Sequence, residues 1–318
     1  MLRRRNKMAN EDKKRALDAA ISKLEKDFGK GTVMNCTFNK NYAGEHGGAI
    51  SYANAINCTF NENEAIMGGA IFNSDATDCI FNHNNAVSGG AAYSDNMQHT
   101  VKNCTFYKNI GYEGGAICSI KPTYRVIDSY FEENEALNGG AVYDANAINC
   151  TFINNVVKET YDYDDGKGGA MREGNAYNCT FYSNYALDKG DGGALAYAYA
   201  ENCIFKSNHA VDLGGAIYET DAVNCTFTEN YANNAGGAMY YGKATNCIFE
   251  KNKLDGDGKN GGAIYQGDAK NCTFIGKTVA RCVWQWRSFQ NGWHYTNIRK
   301  YGPSYRFPKR NGKAKGCW

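Results

Sequence analysis

The chain has 318 residues, with 36 glycines, only 3 prolines, 13 cysteines and a formal charge of +2. That length allows one or two domains, and so much glycine with so little proline suits a sheet with many tight corners. The charge is segregated: residues 1–34 carry ten Lys/Arg against five Asp/Glu, and residues 275–318 carry ten against none. The stretch between is left at −13, a balance that does not invite nucleic acid, because phosphate contacts require cations.

At the start, MLRRRNK is basic but no apolar core follows, so a secretory signal is not expected. No stretch reaches transmembrane length either. From Asn10 the pattern turns helical, with Leu17, Ala20, Ile21, Leu24 and Phe28 on one face and Gly29 as the stop.

From Asn35 to Phe274 one unit recurs, as in Gly214–Asn230, GGAIYETDAVNCTFTEN. Gly-Gly-Ala begins at positions 47, 68, 89, 114, 139, 168, 192, 214, 236 and 261, and ten Phe-x-x-Asn units accompany it, from Phe38/Asn41 to Phe249/Asn252. The shortest period is 21 or 22 residues, which predicts a solenoid. In Asn224-Cys225-Thr226-Phe227 a period of two puts Cys225 and Phe227 inward and Asn224 and Thr226 outward. Ile217 and its equivalents mark a second buried stripe, and the glycine pair permits a close corner. Asn63, Asn230 and their counterparts, five residues after Cys, are expected to take left-handed turns and to hydrogen-bond along the stack. A helical repeat is disfavoured by Gly-Gly in every unit and by the lack of a 3.6-residue period. The expected fold is therefore an all-β parallel β-helix of about ten coils, with a short N-terminal helix.

Ten cysteines, including Cys58 and Cys225, share one register, with Ser129 in the vacant coil. Stacked Cβ atoms about 4.8 Å apart exceed the roughly 3.8 Å that a disulfide prefers, so a ladder of buried thiols acting as small apolar groups is expected. Phe60 and Phe227 belong to the neighbouring aromatic ladder.

The GGAI and FxxN units resemble the repeats of the chlamydial polymorphic outer-membrane protein family and of similar adhesin-like proteins. The resemblance covers residues 35–274. It implies a right-handed parallel β-helix, displayed at a cell surface and presenting a side face to a protein or glycan of a host or neighbouring cell. A monomer is expected. Residues 8–34, with KLEKDFGKG, resemble the N-terminal helix of the bacterial recombinase RecA. The ATP-binding core of that family has no counterpart: before the lone GKT at Gly276-Lys277-Thr278, Asn271 stands where a phosphate-binding loop needs glycine. This start is expected to be a misjoined segment or a cap on the first coil. A chimeric or truncated product without ATPase function is accordingly one reading of the chain. No specific nucleic-acid partner is expected.

Chemistry on such a rod requires clustered outward carboxylates. The outward positions beside Cys are mostly Asn and Thr, with Asp78 and Asp128 as exceptions two coils apart. A noncatalytic protein is expected, with a polysaccharide lyase or hydrolase as the alternative. Arg172 reads as a solvated surface cation. The acidic loops offer Asp162, Asp164 and Asp165, and Asp255 and Asp257, as candidate calcium ligands, although neither loop has an EF-hand pattern. The loops Val157–Lys167 and Leu187–Asp191 lie in successive coils and should be neighbours. The outward row Phe72, Tyr93, Tyr143, Tyr218, Tyr240 and Tyr265 is expected to stack across strands, and Tyr143, Tyr218, Tyr240 and Tyr265 are the candidate partner or glycan face. No cofactor is expected. After Phe274 the register fails, and residues 275–318, with all four tryptophans, form a separate basic aromatic tail or end cap.

Overall fold

The computed structural model describes residues 31–95, 98–121, 124–158, 166–254 and 260–276. The chain winds as a right-handed parallel β-solenoid in which each coil visits four sheets in turn. The first sheet has eleven strands, from Val33–Met34 to Asp268–Lys270, and the second has eleven, from Thr37–Asn39 to Thr273–Ile275. The third is discontinuous, with two strands and then six joined through bridges at Ile110. The fourth has ten strands, from Ile50–Ser51 to Ile264–Tyr265. All pairings are parallel and in register, so that Phe205 meets Phe227 and Phe227 meets Phe249.

The inward and outward faces follow the period-two reading. Cys225 is 1% exposed and Phe227 0%, whereas Asn224 is exposed and Thr226 half-buried. Phenylalanine rings stack face to face through the core, as at Phe205–Phe227 (4.8 Å, 5°) and Phe227–Phe249 (4.7 Å, 3°). Ile217 is fully buried as expected.

The glycine pair is required twice over. Gly214 sits at φ +64°, and a Cβ on Gly215 would lie 2.2 Å from the Gly237 carbonyl oxygen. The first demands left-handed backbone and the second demands no side chain.

The asparagine ladder forms, but its conformation differs from expectation. In mid-rod, Asn208 donates from both its backbone N (2.9 Å) and Nδ2 (2.9 Å) to Asn230 Oδ1, and its Nδ2 also reaches the Phe181 carbonyl (3.0 Å). The left-handed residue is the one before the ladder asparagine, such as Glu229 at φ 56°. Left-handed backbone also occurs just before Cys, where every coil has Asn or Asp at φ between 49° and 55°. These two residue types tolerate that conformation best, which accounts for the recurrent Asn-Cys-Thr.

The thiols do more than fill space. The Cys203 amide points at Cys225 Sγ (3.4 Å), and that thiol donates to the Val223 carbonyl (3.2 Å). In the vacant coil the Ser129 hydroxyl does the same work, accepting from Cys104 N (3.1 Å) and donating to Ile127 O (2.8 Å). All eleven cysteines among the described residues are free thiols.

The rod reaches further than the repeat suggests: Val33 and Met34, assigned above to the N-terminal segment, pair with Ala55 and Ile56, and Ile275, assigned to the tail, pairs with Glu250. The expected N-terminal helix and the tail from residue 277 lie outside the described residues.

Candidate functional site: the outer face of the fourth sheet

Two rows line this face, one from the fourth-sheet strands and one from the left-handed corner that follows. The strand row reads Phe72, Tyr93, Cys118, Tyr143, Arg172, Ala196, Tyr218, Tyr240 and Tyr265. The expected stacking holds at both ends, with Phe72–Tyr93 at 5.6 Å, Tyr218–Tyr240 at 5.4 Å and Tyr240–Tyr265 at 5.6 Å. It breaks in the middle at Cys118, Arg172 and Ala196, so Tyr143 is separated from the other three candidate tyrosines.

Arg172 is not a solvated cation. Its guanidinium lies over the rings of Tyr143 (5.7 Å) and Tyr197 (5.6 Å), pairs with Glu173 (Nε to Oε1, 3.6 Å) and donates to Asn138 Oδ1. Beside it Lys167 crosses to Asp191 (2.7 Å) with both side chains largely buried, and its ammonium lies 5.0 Å from the Tyr218 ring centre. The described ends of the two long loops therefore meet, Lys167 against Asp191. Burial pushes the Asp191 carboxyl up to about 6, against the opposing pull of Lys167.

The carboxylates on this face are ones the sequence reading overlooked. Asp144 and Glu173 occupy the left-handed corner in adjacent coils, held by Asp144 N to Arg172 O (3.0 Å). Burial, then the charge of Glu173, raises Asp144 to about 6. The Tyr143 hydroxyl donates to Glu173 Oε1 (3.4 Å), and burial followed by Glu173 lifts that phenol to about 12. Glu113 lies nearby, with Oε2 at 4.0 Å from Cys118 Sγ. The available signal was the second residue after the buried aliphatic of each Gly-Gly-Ala unit, as in GGAVYD and GGAMRE.

Asp78 and Asp128 do not join them. Both are left-handed corner residues before the Cys register, accepting from Asn103 Nδ2 (2.6 Å) and Asn149 Nδ2 (3.0 Å) respectively. Their role is to hold the turn. The candidate calcium ligands Asp162, Asp164, Asp165, Asp255 and Asp257 lie outside the described residues. Among the described residues, no three His, Cys, Asp or Glu side chains gather as metal ligands.

The family described as "Right handed beta helix region" matches residues 116–279, just over half of the chain. The chain belongs to this right-handed β-helix family. Residues 35–52 also match the repeat of the Chlamydia polymorphic membrane protein. No curated protein matches by sequence. Among solved structures the chain is similar to PfbA, a surface adhesin of Streptococcus pneumoniae, at 14% identity and a TM-score of 0.34, over 82% of this chain and 78% of that one. A second PfbA structure aligns at 12% identity and a TM-score of 0.29, over 82% and 84%. QnrB1, a plasmid-mediated fluoroquinolone resistance protein, aligns at 11% identity and a TM-score of 0.22, over 77% and 91%.

Proposed function

We propose that this β-helix is a noncatalytic, adhesin-like binding module at a cell surface, and that the outer face of its fourth sheet takes a glycan. The carrying observation is the gathering of Tyr143, Arg172, Glu173, Tyr197 and Tyr218 on one side of successive coils. Sugars need hydroxyl acceptors and donors beside aromatic surface, and this face supplies both. Cell-surface display is supported by the repeat match at residues 35–52. Binding of the full chain to an immobilised glycan panel tests the reading. Retention that falls at least tenfold in Arg172→Ala supports it, and a panel without any bound glycan sinks it.

The enzyme alternative has one observation in its favour, the in-register Asp144 and Glu173 with Asp144 raised to about 6. A carboxyl poised there is suited to proton transfer near neutral pH. Sugar release from a polysaccharide that vanishes in Asp144→Asn would replace the noncatalytic reading.

A further inference from the structure

The stacked tyrosines of this face offer a ligand their edges and hydroxyls rather than their faces. Tyr218 and Tyr240 have planes 1° apart, face against face, so their faces are spent on each other and their edges point outward. The tyrosines at the corner are turned the other way. Tyr197 stands at 89° to Tyr218 of the next coil and Tyr241 at 80° to Tyr240 of its own, so both corner rings are turned out of the plane of the stack. They are 37% and 38% exposed.

These two rings also occupy backbone that does not favour them. Tyr197 and Tyr241 both sit at φ 55°. The corner before Cys meets the same demand with Asn or Asp in every coil, and the corner before the ladder asparagine meets it with polar residues such as Lys40, Glu62 and Ser207. An aromatic side chain there costs stability, and what sets Tyr197 and Tyr241 apart from Tyr52, which sits at the same corner of the first coil, is that they recur as a pair two coils apart.

Register fixes their separation. Tyr197 N bonds Tyr218 O, and Glu219 N bonds Tyr240 O, so corner residues 197, 219 and 241 belong to successive coils. Two coils amount to about 9.6 Å on the strand spacing. Glu219 lies between the rings, and Gln266 follows in the next coil. Arg172 lies over Tyr197 and steadies that end.

Building on the glycan reading above, we propose that this face binds a linear, equatorially (1→4)-linked hexopyranose chain running parallel to the rod axis. Tyr197 and Tyr241 are its stacking platforms, and Glu219 accepts hydroxyl hydrogen bonds between them. Such a chain is an extended ribbon in which alternate sugars present the same face, and its two-sugar repeat is close to two coil rises. An extended peptide repeats every two residues, about 6.7 Å, and falls out of step with the coils.

The test is calorimetry on the full chain with cellohexaose and chitohexaose, both β-(1→4)-linked, against maltohexaose, whose α-links curve the chain. The variants are Tyr197→Asn, Tyr241→Asn and the double substitution, with Tyr52→Asn as control. Tyr52 is an exposed tyrosine at the same corner of the first coil, at φ 58°. Asn suits left-handed backbone, so the thermal midpoints should hold or rise. We expect at least one β-linked hexasaccharide to bind at least tenfold tighter than maltohexaose. Each single variant at Tyr197 or Tyr241 should weaken it at least fivefold, the double variant should abolish it, and Tyr52→Asn should leave it unchanged. Unaltered binding by the double variant, or equal binding of α- and β-linked chains, overturns the platform. If the β-linked chains fail while another glycan of the panel binds this face, the platform falls and the glycan reading stands. If no glycan binds, both fall.

Discussion

At the scale of single residues, the cysteine ladder is a hydrogen-bonding device inside an apolar core. Burial pushes the Cys104 and Cys179 thiols up, which keeps their S–H donors at neutral pH, whereas hydrogen bonds from neighbouring thiols draw Cys79, Cys150 and Cys203 down. Ser129 shows that the position asks for a small group that both accepts and donates. Cys225→Ala would strand the Cys203 amide and should cost about 1–3 kcal/mol, whereas Cys225→Ser should cost less. Equal denaturation midpoints for the two variants would return the thiols to mere filler. Asp144 offers a second residue-scale test, in pH. Its folded pKa is raised to about 6 from 3.8, so the native state holds the proton more tightly than the unfolded chain. Stability contributed by that proton is present below about pH 4 and is lost as pH climbs through 6. Asp144→Asn keeps a residue suited to φ 52° and removes the charge. It should stabilise the protein at pH 7 and change little at pH 4, as read from urea midpoints at the two pH values.

At the scale of the element, the corner decides what can be substituted. A Cβ on Gly215 meets the Gly237 oxygen at 2.2 Å and the Tyr231 carbonyl at 2.4 Å, all of it backbone that a neighbouring coil holds in place. Gly44, in the first coil, would meet nothing within 4 Å. Gly215→Ala should therefore be severely destabilising while Gly44→Ala is close to neutral; a thermal melt of each variant is the check. Corners also mark where sequence reading succeeded and where it stopped. Alternation around Cys225 and Phe227 exposes a strand directly, because side-chain direction flips at each residue. The left-handed corners leave no such alternation: Asn230 and Glu229 swap conformational roles without altering the repeat. Asp144 and Glu173 were overlooked for the same reason, since their nearness comes from the stacking of coils 29 residues apart. Arg172 was misjudged because its ring partners, Tyr143 and Tyr197, flank it from the coils on either side.

At the scale of the whole molecule, stability should follow position along the rod. No coil buries its apolar face alone, so each borrows burial from both neighbours, as other solenoids do. Phe152 has a ring on each side, Phe131 at 4.7 Å and Phe181 at 4.8 Å, and is fully buried. Phe38, in the first coil, stacks on Phe60 at 5.0 Å and is half-buried. Removing the Phe152 ring opens a closed cavity and should cost roughly 3–5 kcal/mol. Removing the Phe38 ring exposes one face of Phe60 to a site that water already reaches, and the loss should be well below that range. Chemical denaturation of Phe152→Ala and Phe38→Ala, compared with the parent, measures the gradient. Comparable losses at the two positions would mean that the first coil is held as firmly as the middle, and the quasi-one-dimensional account of this rod would have to be abandoned.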